Sequence, residues 1–378
     1  MIMALLLSTI SGPIVATAAL EPVALWADFG RASYLPGEKG RCPPPQGDLF
    51  CGLSDADAAF VAKTYSVVSL EKCFGVRPGN TNQSNHTMAN FATTARQIMR
   101  LAPPGKQPPQ VLFYWSSNEA VADCYEDAYG GEILKHSEWW LKNKTGGFIW
   151  DNAHFVGRRP WIDFTVPAAA AWWVSVPLAA HKLSHGAMAG VFADSAGNWA
   201  NVLVARHQIT PEKAAALNEA HRDALRTLRW QLRAAIGPQA LLVGNALGPC
   251  THPPCGPDGV ELLQKNIVDA VCAEHFGAFE WSKNQSTGSV DPQVVRAWLD
   301  LLDAAAQTNG SVFIKTWPGP ETSPINGLGP SWPPEFRNPY TGEPLNRTAD
   351  AIAAAAGQMI NYSLSIFLCV ARPSSKFS

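Results

Sequence analysis

Residues 186–199 read GAMAGVFADSAGNW, and the fold turns on the middle of that run. Gly190 to Ala193 is a short, almost wholly apolar stretch that stops at an acid, Asp194, with small and polar residues after it. Two later stretches have the same build. ALLVGN at 240–245 ends on Asn245, and VDAVCAE at 268–274 ends on Glu274. Near-continuous apolar runs of this length suit strands buried on both faces, as in a parallel sheet. The polar residue that closes each run then marks the C-terminal end of a strand.

Further runs fill out the pattern on either side. TYSVVSLE, ending at Glu71, reads as the first strand and VLFYW at 111–115 as the second. The third is GGFIW at 146–150 or WIDF at 161–164; GVFAD at 190–194 is the fourth, and the two runs above are the fifth and sixth. SVFIKTW at 311–317 and YSLSIFLCV at 362–370 complete eight. Helices are expected between them: from Met88 to Leu101, from Pro167, from Thr210-Pro211-Glu212 to a stop at Gly237, and from Asp291-Pro292. Leu217, Leu225, Leu228, Leu232 and Ile236 form one apolar face of the third of these. Strands alternating with helices through 63–378 predict a (β/α)8 TIM barrel. An open doubly wound sheet would carry a Gly-rich phosphate loop after its first strand, and SLEKCFG is not one.

Composition narrows the class. A hydrophobic content of 47% with 16% charged residues describes a globular chain with a sizeable core. A net charge of -2 argues against a nucleic-acid partner, which needs clustered Lys and Arg. Residues 1–18 are apolar and end in Ala16-Thr17-Ala18, the pattern of a cleaved signal peptide, so a secreted protein is expected. No later run is long and uncharged enough for stable membrane insertion. Residues 19–62 read as a Pro/Gly/Cys-rich extension stapled by disulfides. Of eight cysteines, Cys42 with Cys51 and Cys250 with Cys255 suit short disulfide loops, and Cys73 and Cys124 suit a pairing across loops. Cys272 and Cys369 sit in apolar runs and read as buried thiols. Sequons at Asn82, Asn85, Asn143, Asn284, Asn309, Asn346 and Asn361 accord with export. No metal site and no cofactor is expected: ligand spacing, P-loop, dinucleotide fingerprint, GxSxG elbow and HExxH helix are all missing.

In a barrel the site lies where the strands end. That singles out Glu71, Tyr114, Trp115, Asp163, Asp194, Asn245, Glu274, Lys315 and Trp317, with Trp199 on the loop after Asp194. A carboxylate straight after an apolar run is costly unless it is paired, capping or functional. Asp194 could instead cap the SAGNW loop, and Glu274 could pair with Lys315. Two carboxylates on the fourth and sixth strands can face each other across the mouth, which is what cleavage of a glycosidic bond needs. Asn245 and Lys315 are candidate hydroxyl ligands. Tyr114, Trp115, Trp199 and Trp317 are candidate stacking surfaces for a carbohydrate, or packing residues.

GAMAGVFADSAGNW, the preceding WIDFTVPAAAAWW, the VGN run and CAEHF together resemble glycoside-hydrolase-like barrel proteins, and more distantly the endo-α-1,4-polygalactosaminidase family. The resemblance spans most of residues 65–370. It implies a nucleophile-like Asp at the fourth strand, matching Asp194, and an acid/base Glu at the sixth, matching Glu274. It also leans toward a retaining mechanism. Polygalactosaminidase-type proteins often carry another acid shortly after that Asp, whereas Ser195, Ala196 and Gly197 follow here. The alternatives are a carbohydrate-binding barrel without catalysis, and a barrel lyase or racemase that uses Lys315 as base.

Overall fold

The computed structural model describes residues 23–27, 53–70, 87–118, 130–151, 159–246, 258–273, 292–308, 310–314 and 375–377. Its strands are β1 (Val23–Ala27), β2 (Val67–Leu70), β3 (Gln110–Ser116), β4 (Trp150–Asp151), β5 (Arg159–Pro160), β6 (Met188–Asp194), β7 (Leu241–Asn245), β8 (Ala270–Ala273), β9 (Ser311–Ile314) and β10 (Ser375–Phe377). All but β4 and β5 form one sheet of 8 strands, ordered β1-β2-β3-β6-β7-β8-β9-β10. Every neighbouring pair in it is parallel.

That order fixes the architecture. Strands that succeed one another in space as they do in the chain make every crossover step the same way. Right-handed crossovers that all step one way put their helices on one face of the sheet. A doubly wound sheet needs a reversal of order at a switch point, and among the described strands there is none. The chain is a singly wound α/β sheet, the form from which β/α barrels are built. Among the described residues no pair joins β1 to β10.

Two differences from the expected strand list offset each other. Residues 23–27, expected within the extension, pair with β2 from Val23↔Val67 to Ala27↔Leu70 and so supply the first strand. Neither candidate for the third strand enters the sheet, because β3 pairs directly with β6 along Leu112↔Gly190 to Ser116↔Asp194. The stretch between them closes on itself: β4 and β5 are antiparallel, with bridges Trp140↔Ile162 and Lys142↔Phe148. Its aromatics satisfy one another, Trp140 meeting Phe148 and Trp150 edge-on at 5.0 and 5.1 Å. One strand gained and one lost leave Asp194 on the fourth strand and Ala270–Ala273 as the sixth. The eighth strand pairs at β10, and the expected run 362–370 lies outside the described residues.

The expected helices are present as α2 (Thr87–Arg100), α4 (Pro167–Leu183), α6 (Pro211–Ile236) and α8 (Pro292–Thr308), and the structure adds α1 (Asp55–Thr64), which begins within the expected extension, α3 (Gly130–Lys135), α5 (Ala200–Ala205) and α7 (Asp258–Gln264). Thr210 caps α6 by accepting Lys213 N–H at 3.2 Å, and Gly237 stops it at φ 117°, a backbone that favours glycine. Leu217, Leu225, Leu228 and Leu232 are buried along α6. The two sheet faces separate by parity. Val111, Phe113, Trp115, Val191, Ala193, Leu242 and Val271 join the helices in one cluster; Val67, Leu112, Tyr114, Phe192, Val243, Ala270, Cys272 and Phe313 form a second, inner one. At Gly190 the strands approach so closely that a Cβ would stand 1.9 Å from the Leu241 carbonyl oxygen. Cys272 is buried and outside any disulfide, while the other seven cysteines fall outside the described residues. No helix among the described residues is long and apolar enough to cross a membrane.

Candidate functional site

Asp194 closes β6 with the parity of Phe192, so its carboxylate belongs to the inner face. It is the only acid that the described strands of the large sheet contain. Three donors hold it. Tyr114 Oη donates to Oδ2, Asn245 Nδ2 donates to Oδ1 at 2.8 Å, and Ser195 N–H donates to Oδ1 at 2.9 Å. All are neutral, which suits an acceptor-only carboxylate without cancelling its charge. Tyr114 and Asn245 are buried, while Asp194 is half-buried. Register explains the convergence. Ser116 pairs with Asp194, and Ala193 with Gly244, which brings Asn245 level with Asp194 on the next strand.

Among the described residues, the other carboxylates most withdrawn from solvent in and around the sheet are committed elsewhere. Asp163 accepts Lys213 Nζ at 2.8 Å and Thr165 N–H at 3.0 Å, which ties the start of α4 to α6. Asp269 accepts Arg229 Nε at 2.8 Å, Arg233 Nη2 at 2.7 Å and Leu242 N–H at 2.9 Å. Asp258 sits in the helical layer on Asn198, and burial, the largest influence, pushes its carboxyl up from the usual range. Among the described residues no three His, Cys, Asp or Glu side chains gather as metal ligands.

The expected site residues therefore divide. Asp194, Tyr114 and Asn245 come together. Tyr114 packs its ring against Phe192 at 6.0 Å and uses its hydroxyl to orient Asp194. Trp115 has the opposite parity, faces the helices and donates Nε1–H to the Trp173 carbonyl at 3.1 Å. Trp199 is buried edge-on against Trp161 at 5.3 Å. Asp163 is a structural ion pair. Glu71, Glu274, Lys315 and Trp317 lie outside the described residues.

No family model matches the chain, and no curated protein matches it. Solved structures do resemble it, at low identity. One is a Paenibacillus cycloisomaltooligosaccharide glucanotransferase complexed with cycloisomaltoheptaose, 10% identical with a TM-score of 0.45, covering 70% of this chain and 36% of that one. A Thermus thermophilus α-galactosidase in complex with stachyose is 11% identical with a TM-score of 0.43, covering 95% and 61%. An α-amylase from Geobacillus thermoleovorans complexed with acarbose is 10% identical with a TM-score of 0.41, covering 78% and 60%. The chain thus spans between 36% and 61% of these proteins' lengths. Likeness at this level leaves the fold assignment with strand order and register.

Reading the sequence alone missed two features. His221 is fully buried among Phe164, Trp173 and Trp199, and burial holds its pKa down at about 3. It fell between apolar positions of α6 that carry no mark of what lies opposite. The contact of Asp258 with Asn198 joins residues 60 apart in the chain, and only the SAGNW loop hinted at it.

Proposed function

We propose that the protein is a glycoside hydrolase in which Asp194 and Glu274 act as the carboxylate pair. The observation that carries this reading is Asp194 itself, the one acid of the described large-sheet strands, half-buried at a strand C-terminal end and held by neutral donors alone. An acid so placed can present an oxygen to an electron-poor carbon. Glu274 is the next residue in the sequence after β8 and lies outside the described residues. In a retaining mechanism Asp194 attacks the anomeric carbon while Glu274 protonates the departing oxygen. Glu274 then draws a proton from the water that releases the sugar. Tyr114 and Asn245 hold the attacking carboxylate in place. Lys315 and Trp317, together with Glu71, are proposed substrate contacts, and the substrate is a poly- or oligosaccharide met outside the cell.

The test is release of reducing sugar from a panel of α- and β-linked polysaccharides by wild type, Asp194→Asn and Glu274→Gln. Activity of wild type on one glycan that drops by about 10²-fold or more in both variants is expected. Binding of a glycan without hydrolysis, unchanged by Asp194→Asn, replaces the reading with a carbohydrate-binding barrel.

A further inference from the structure

The segment from Ser195 to Trp199 joins Asp194 to α5 and is held from two sides. Toward the sheet, Ala196 N–H donates to the Asn245 carbonyl at 2.8 Å. Toward the helices, Asp258 at the start of α7 accepts Asn198 N–H through Oδ2 at 2.8 Å and the Asn198 side-chain amide through Oδ1. Asn198 Oδ1 in turn accepts Arg222 Nη1 at 2.7 Å, so both ends of its carboxamide are fixed. A Cβ at Gly197 would stand 2.8 Å from Asp258 Oδ2. Gly197 is not in the left-handed region, so the nearby carboxylate, and not backbone strain, favours glycine there. At the other end Ser195 takes φ 56°, a costly conformation for serine that persists only when its surroundings impose it. In that conformation its N–H donates to Asp194 Oδ1.

We propose that Asp258 is a positioning residue for Asp194: its grip on Asn198 holds the Ser195–Trp199 segment so that Ser195 N–H stays on the Asp194 carboxylate. The role in catalysis rests on the reading of Asp194 as the reacting group. Burial and the nearby Glu261 work against a charged Asp258, while the Asn198 donors and Arg222 favour it. That balance suits a carboxylate kept for its two acceptor atoms.

Asp258→Ala and Gly197→Ala break the same contact from opposite sides, the second with the carboxylate in place. Residue-resolved amide exchange reads the result without any substrate. Asn198 and Ser195 should exchange about tenfold faster in each variant while Val191, within β6, is unchanged, and the double variant should be no faster than the singles. Asp258→Asn, which retains one acceptor oxygen, should recover part of the protection. Faster exchange at Asn198 alone overturns the proposal. On a glycan that wild type hydrolyses, kcat should fall about tenfold in both variants with KM within about twofold, since misplacement of a reacting group costs rate more than binding. An unchanged kcat with Ser195 loosened overturns the catalytic role. Wild type inactive on every glycan overturns the hydrolase reading, and Ser195 exchange still decides the grip of Asp258. Should Asp258→Ala fail to fold, Gly197→Ala and Asp258→Asn carry the same comparison.

Discussion

Replacing His221 by leucine should make the protein more stable, and increasingly so as the pH falls. The ring of His221 lies 4.8 Å from that of Phe164, 5.8 Å from Trp173 and 6.1 Å from Trp199. Neither ring nitrogen has a hydrogen-bond partner among the described residues. Burial first, and the Arg222 charge second, lower its pKa from 6.5 to about 3. The unfolded chain therefore takes up the proton at a higher pH than the folded one. Stability is whole above the unfolded pKa and falls as the pH drops below it, by about 1.4 kcal/mol per pH unit, down to the folded value. Two units below the unfolded pKa, at pH 4.5, this amounts to about 2.7 kcal/mol. That is a large part of the ~5–15 kcal/mol that holds a domain folded. His221→Leu removes both the titration and two unpaired buried nitrogens, the latter a gain of about 1–3 kcal/mol. Urea unfolding followed by fluorescence at pH 7.5, 6.5, 5.5 and 4.5 gives the comparison. The variant should lead by about 1–3 kcal/mol at pH 7.5, and the gap should widen by about 2–3 kcal/mol at pH 4.5. A gap independent of pH refutes the buried neutral histidine, and a variant less stable at pH 7.5 refutes the cost of its unpaired nitrogens.

Three further outcomes are expected. Gly190→Ala sets a Cβ 1.9 Å from the Leu241 backbone oxygen, which neither strand can avoid without parting, so it should cost more than about 4 kcal/mol and appear as loss of folded, soluble protein. Asp269→Ala leaves Arg229 and Arg233 without their shared carboxylate and Leu242 N–H without its acceptor, a loss of about 3 kcal/mol in thermal or urea unfolding. Tyr114→Phe retains the ring packed on Phe192 and deletes the hydroxyl that donates to Asp194; glycan hydrolysis should fall about tenfold, with the melting temperature lowered by no more than a few degrees.

The strands that form the middle of the sheet were legible because burial on both faces leaves an apolar run with a polar stop, as in GVFAD, ALLVGN and VDAVCA. The edges of the pattern were not. VALWA at 23–27 is as apolar as the others, but a Pro- and Gly-rich stretch follows it and disguised a strand as part of an extension. GGFIW and WIDF have the composition of strands, yet their aromatics pack on one another and on α4, and β3 pairs with β6 without them. Strand composition reports a residue's taste for a pleated, half-buried surface and does not say which surface it finds. At the site, the position of Asp194 and the nearness of Asn245 followed from strand ends. Parity then separated Tyr114 from its neighbour Trp115: one residue along a strand turns a side chain from the inner face to the helices. Trp199 reads in sequence as either a stacking or a packing residue, and in the fold it is buried against Trp161. The partner of Asp258 depends on the start of α7 meeting the segment after β6, which no local pattern encodes.

On the proposed reading, Asp194 attacks the sugar. Asp194→Ala, assayed with and without sodium azide on the glycan that wild type hydrolyses, puts a small anion in the space the carboxylate leaves. The variant should be nearly inactive alone, and azide should restore turnover and yield a glycosyl azide of anomeric configuration opposite to the substrate's. A variant that hydrolyses the glycan at the wild-type rate without azide would contradict that reading.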